Sequence, residues 1–172
     1  ASTRQIYGRP DYLPVDEKHP LRPVDVNGIN KIAGESFHLL YSRIHGIRAT
    51  ALRLTNTIGP RMRVKDSRQT FVGVWIRRLI EGGPIEVWGG SQLRDFTYVD
   101  DAIEVLSRPE PATGQVVNVA SGRDHRISDV AHAILALFDL PETRLVTVAR
   151  RAWDRVVERR ADVSRLLGLY GT

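Results

Sequence analysis

Between Ile29 and Ile44 the apolar residues Ile29, Ile32, Ala33, Phe37, Leu40, Tyr41 and Ile44 recur at mostly three- and four-residue steps, and Gly46 closes the run. That period makes one apolar helical face with a glycine stop. Ile47–Leu54 follows at once as a strand, with Thr55–Pro60 as the loop at its carboxyl end. A helix feeding directly into a strand is the rhythm of α/β folds. The rhythm continues along the chain. Phe71, Val74, Trp75, Leu79 and Ile80 predict a second helix, stopped by Gly82-Gly83-Pro84, and Ile85–Trp88 a short strand ended by Gly89-Gly90. Leu93–Val99 alternates as a further strand, with Asp100 or Asp101 capping a helix through Leu106. Val116–Val119 reads as a buried strand, and Ser128 as the cap of a helix carrying Val130, Ala131, Ile134, Leu135 and Phe138 that Pro141 ends. Leu145–Val148 is a candidate strand, and Ser164–Leu167 a helical turn stopped by Gly168. Ahead of all this, Pro10, Pro14, Pro20 and Pro23 mark an extended loop, because each removes a donor and biases its predecessor away from helix.

Composition narrows the function classes. The net charge of +5 invites a nucleic-acid reading. Its distribution argues against one: Lys18, Lys31 and Lys65 are the only lysines, and the arginines are scattered apart from the pairs beginning at Arg77, Arg150 and Arg159. No nucleic-acid partner is expected. Cysteine is absent, which excludes disulfides and thiolate metal sites and fits a reducing, cytoplasmic location. No apolar run approaches the ~18 residues that would span a bilayer, so no membrane role is expected. His19, His38, His45, His125 and His132 have no metal-ligand spacing, and Trp75, Trp88 and Trp153 read as packing residues.

Chemistry is suggested first by Asn27-Gly28-Ile29-Asn30-Lys31, where positions 27 and 31 lie one turn apart on the same helix face. Three further segments give it context. They are Ser2-Thr3-Arg4-Gln5-Ile6-Tyr7-Gly8, the run Leu52–Arg61 ending Asn56-Thr57-Ile58-Gly59-Pro60-Arg61, and Arg94-Asp95-Phe96-Thr97-Tyr98-Val99-Asp100-Asp101. In order and spacing they resemble the motifs of the extended short-chain dehydrogenase/reductase family, the NAD-dependent nucleotide-sugar epimerases and dehydratases related to UDP-glucose 4-epimerase. The tail, Arg151-x-x-Asp154 and then Ala161-Asp162-x-Ser164-Arg165-x-Leu167-Gly168, is similar to that family's C-terminal segment.

The resemblance implies an α/β fold: the C-terminal part of a Rossmann-like doubly wound sheet plus a small α/β substrate-binding subdomain. Residues 1–60 and 114–120 would complete the sheet, and 61–113 and 121–172 would form mainly the substrate-binding part. The N-terminal half bearing the glycine-rich loop is expected to be absent, since neither Gly-x-Gly-x-x-Gly nor Gly-x-x-Gly-x-x-Gly occurs. NAD is the implied cofactor, with Lys31 facing the nicotinamide ribose. By the same resemblance Thr3 holds the reacting sugar oxygen, Asn56 and Arg94 contact the nucleotide-sugar, and Arg151 reaches its diphosphate.

The family's tyrosine, which exchanges a proton with the sugar hydroxyl, corresponds to Asn27. An amide donates and accepts hydrogen bonds but has no titratable proton near neutral pH. Three explanations stay open: Tyr7, Tyr12 or Asp25 acts as base, the proton takes another route, or the protein binds without turnover. Dehydratases of this family carry Asp-Glu after the hydroxyl residue, where this sequence has Arg4 and Gln5. A UDP-sugar 4-epimerase is therefore the expected relative, a nucleotide-sugar-binding pseudoenzyme or a dehydratase/reductase the alternative, and a homodimer through the Ile29–Ile44 helix is possible.

Overall fold

The computed structural model describes residues 1–65, 70–150 and 158–171, and the chain divides into two compact units. The first comprises Ala1–Ile58, Asp95–Arg123 and Arg159–Thr172, the second Gly59–Arg94 and Asp124–Glu158.

In the first unit β1 (Ser2–Thr3), β2 (Ala51–Leu54) and β6 (Val116–Val119) form a parallel sheet in the order β1-β2-β6, with Ser2 opposite Arg53 and Leu52 opposite Val117. Parallel neighbours need a long crossover, and α1 (Val26–His45) supplies the one between β1 and β2. Leu52, Val117 and Val119 bury their side chains with Ala102 and Val105 of α3 (Val99–Ser107) and Leu166 of α5 (Ser164–Tyr170). A second cluster joins Ile6, Tyr7 and Val15 to Ile32 of α1. Beyond β2 the chain re-enters strand geometry as β3 (Asn56–Ile58), parallel to the later part of β5 (Leu93–Tyr98) with Asn56 opposite Phe96.

The inward side of α1 is unusual. Its buried residues are Gly28 and Glu35, whereas Val26, Ile29, Phe37, Leu40, Tyr41 and Ile44 are exposed, Phe37 to 64%. Apart from Ile32, most of the apolar stripe in the sequence therefore faces outward, and a carboxylate packs inward because Arg53 of β2 meets it there.

The second unit pairs β4 (Ile85–Trp88) with β8 (Leu145–Val148) in parallel, and α2 (Phe71–Ile80) and α4 (Ile127–Leu137) pack against β4. Trp75 is buried and donates from its indole nitrogen to the Glu86 carbonyl at 2.9 Å. β7 (Asp124–Arg126) leads into α4.

Several local expectations need correction. Thr55–Pro60 is not all loop, because parallel pairing with β5 recruits Asn56–Ile58 as a strand. Asp100 and Asp101 occupy the first turn of α3 rather than its cap, which is Tyr98; there they complement the helix dipole. Arg126, not Ser128, caps α4, and the Ser128 hydroxyl donates instead to Asp129. The last helix runs through Gly168 to Tyr170 and ends where Gly171 turns left-handed. His19 is buried, held by local hydrogen bonds from the Asp11 N–H and to the Pro20 carbonyl. Among the described residues no helix is long and apolar enough to cross a membrane, and no His, Cys, Asp and Glu group could hold a metal ion.

Candidate functional site

Thr3 ends β1, where its hydroxyl accepts from the Gln5 N–H at 3.4 Å and so starts the 3-10 turn Arg4–Tyr7. That turn presents Gln5 to the first turn of α1. Gln5 Oε1 accepts from the Thr3 hydroxyl at 3.4 Å and, at short range, from the Asn27 side-chain amide. One carbonyl oxygen thus joins the hydroxyl position to the position where the family carries tyrosine. The close approach depends on Gly28, where an added Cβ would lie 2.8 Å from Pro23 Cβ and 3.1 Å from the Gln5 carbonyl oxygen. One turn further along α1, Lys31 Nζ donates to the Ala1 carbonyl at 3.0 Å.

Arg4 points to the other proposed ligand contact of this unit. Its guanidinium donates to Asn56 Oδ1 at 3.0 Å, and the Asn56 amide nitrogen donates to the Asp95 carbonyl at 2.8 Å. The Asp95 carboxylate, fully buried, accepts from the Thr55 hydroxyl at 3.1 Å, the Ser121 N–H at 2.9 Å and the Ser121 hydroxyl at 3.0 Å. It fixes the turn after β6. Arg94 is buried in the second unit and donates to the Leu93 carbonyl. Arg151, Trp153 and Asp154 lie outside the described residues.

Each of the three candidate substitute bases is engaged in a hydrogen bond of its own. The Tyr7 hydroxyl donates to Asn118 Oδ1 at 2.7 Å and accepts from Arg53 at 2.8 Å; burial pushes its pKa up to about 12 although Arg53 pulls the other way. Tyr12 donates to Asp16, whose carboxylate raises the phenol to about 12 and is itself lowered by that bond. Asp25 caps α1, accepting from the Gly28 N–H at 2.7 Å. A group near 12 gives up almost no proton at neutral pH.

Two features escaped the sequence reading. One is the Gln5 bridge between Thr3 and Asn27. The other is the buried ion pair of Arg53 with Glu35, whose closest contact is 2.8 Å and which extends through Tyr7 to Asn118. Glu35 continues the 27, 31 spacing by one more turn, which was the available signal.

The family model described as "NAD dependent epimerase/dehydratase family" matches residues 1–120. The chain belongs to this family. Among epimerase/dehydratase relatives, a Methanocaldococcus jannaschii protein bearing a UDP-glucose 4-epimerase name is 32% identical over 126 residues, 73% of this chain and 41% of its own length. UDP-glucuronic acid decarboxylase 1 of Danio rerio is 28% identical, covering 99% of this chain and 42% of the relative. The fold is that of UDP-N-acetylglucosamine 4-epimerase from Methanobrevibacter ruminantium, with a TM-score of 0.88 at 24% identity over 98% of this chain and 55% of that one. The chain therefore spans about two-fifths of the length of these two curated relatives. Lys31, the position the resemblance assigns to the nicotinamide ribose, is held by the Ala1 carbonyl, and no glycine-rich pattern for a pyrophosphate occurs in this sequence.

Proposed function

We propose that the protein is an NAD-dependent, 4-epimerase-like protein acting on a UDP-sugar, and that this chain by itself does not turn over. The Thr3–Gln5–Asn27 bridge carries this reading: it gathers the hydroxyl and tyrosine positions around one amide and leaves Arg4 and Gln5 where dehydratases carry their acids. Relatives named for UDP-glucose and UDP-glucuronic acid support the nucleotide. NAD, when bound, accepts and returns the hydride. Of this chain's residues, Thr3 orients the sugar oxygen, Lys31 holds the nicotinamide ribose, and Asn56, Arg94 and Arg151 bind the nucleotide-sugar, guanidinium against phosphate. In this reading residues 1–60 and 114–120 complete the Rossmann-like part, and 61–113 and 121–172 mainly serve the sugar nucleotide.

A second reading is binding without turnover. It is favoured by the engagement of Tyr7, Tyr12 and Asp25 in hydrogen bonds elsewhere. An assay of the full-length protein with NAD and UDP-glucose, read as UDP-galactose formed, separates the two. Turnover by the unaltered protein ends the binding-only reading. Activity that appears only in Asn27→Tyr supports binding-only, and dehydration of the sugar in place of epimerisation overturns the first.

A further inference from the structure

We propose that the first unit carries a second binding site, built from none of the residues assigned above to sugar, nucleotide or NAD, and that it takes an aliphatic α-amino acid as its zwitterion. The ligand's two charges and its apolar side chain each have a matching wall.

The site is a cavity of about 420 Å³ lined by α3, by the turn that follows β6 and by α5. That volume lies within the roughly 300–1,000 Å³ of small-molecule pockets. Its place is also a favoured one, because ligands of open α/β sheets bind outside the carboxyl ends of the strands. Val105, Val119 and Leu166, all members of the buried core, give it an apolar wall. Asp101 and Glu104 from α3 and Arg123 from the turn add charge, and polar and apolar atoms share the open surface equally.

Opposite charges line this cavity without meeting. Among the described residues neither the Asp101 carboxylate nor the Arg123 guanidinium has a hydrogen-bond or ion-pair partner, whereas Glu104 is paired with Arg108. A ligand with one charge satisfies one of the two free groups and is opposed by the other. An α-amino acid satisfies both. Its carboxylate takes parallel hydrogen bonds from the guanidinium, its ammonium donates to the Asp101 carboxylate, and its side chain lies on the valine and leucine wall. The turn that presents Arg123 is fixed in advance. The buried Asp95 carboxylate accepts from the Ser121 N–H at 2.9 Å and hydroxyl at 3.0 Å, and Ser121 Oγ accepts from the Arg123 N–H at 3.1 Å. Such preorganisation lowers the ordering cost of binding.

Titration calorimetry of the full-length protein with L-leucine, L-leucinamide, N-acetyl-L-leucine and glycine at fixed ionic strength tests the site. Leucine is expected to bind at millimolar concentration or below. Leucinamide, which lacks the carboxylate, and N-acetyl-leucine, which lacks the ammonium, should each bind about tenfold more weakly, the scale of one charge-assisted contact. Glycine should lose the contribution of the apolar wall. Arg123→Gln should remove the advantage of leucine over leucinamide, and Asp101→Asn its advantage over N-acetyl-leucine, with the melting temperature of the free protein unchanged. Leucine that fails to bind, that binds no better than its two singly charged analogues, or whose binding survives both substitutions unaltered overturns the inference. Glycine binding as tightly as leucine overturns it too. UDP and UDP-glucose, titrated into the same samples, are expected to bind the unaltered protein and both variants alike; their failure would remove the nucleotide-sugar reading and leave this site standing.

Discussion

Arg53 sits in the middle of a buried strand with 4% of its surface exposed, and its charge is tolerable only because Glu35 accepts from both Nε and Nη2. Burial opposes that charge, yet the Glu35 and Tyr7 hydrogen bonds leave the Arg53 pKa raised. Glu35→Ala is expected to cost about 3–5 kcal/mol in urea unfolding, because it strands a buried guanidinium. Tyr7→Phe, which leaves Asn118 Oδ1 without its phenolic donor, should cost about 1–3 kcal/mol. Tyr7 also sets an alkaline limit. The folded protein keeps the phenolic proton to about 12, against 10.0 for an ordinary tyrosine. The stability linked to it is complete below about pH 10 and is lost as pH rises toward about 12. Denaturation midpoints at pH 9 and pH 11 should therefore differ less in Tyr7→Phe than in the unaltered protein. At this scale the sequence was legible for residue types and not for partners. Thr3, Asn27, Lys31 and Asn56 could be named from motif spacing, but nothing local couples position 5 to position 27, because their contact depends on how the 3-10 turn meets the helix.

Helix α1 shows what an element's pattern reveals and what it hides. Its existence follows from the three- and four-residue apolar period, and its stop from Gly46, which adopts the left-handed conformation. Which face would be buried did not follow, since the inward side combines an ion pair and a glycine with a single apolar contact from Ile32. Asp25→Ala should cost about 1 kcal/mol by thermal unfolding through loss of the cap. Gly28→Ala should be worse than a helix-propensity scale suggests. Alanine normally favours helix over glycine by roughly 1 kcal/mol, but here its Cβ would sit 2.8 Å from Pro23 Cβ, so the expected sign is reversed. Proteolysis within residues 20–30 would report the loosened junction. Strands β4 and β5 were readable for a related reason: glycine pairs bound the first and alternation marks the second, while β6 was read from its short run of valines. β3 was not, because three residues carry too little pattern and its pairing with β5 is set 40 positions away.

For the whole molecule, the α/β class was readable from the helix-to-strand alternation, whereas the expected division near residues 60 and 120 came from the family resemblance and not from any change of composition. One cut falls inside β5, between Arg94 and Asp95, at a point with no turn or composition change. The outward apolar stripe of α1 belongs to this scale too. A second copy of the chain is a proposed cover for it, and Phe37→Glu is expected to lower any concentration-dependent association seen by sedimentation velocity.

The Arg53–Glu35 contact constrains how this protein can be recombined with its relatives. A helix grafted from a homologue without the acid would leave Arg53 buried and unmatched, and a grafted strand without the arginine would leave Glu35 so. Chimeras should fold only when residues 5–8, 25–45, 50–55 and 115–120 travel as one block, because Tyr7 and Asn118 close the same network. The unit of exchange is a polar cluster rather than a secondary-structure element.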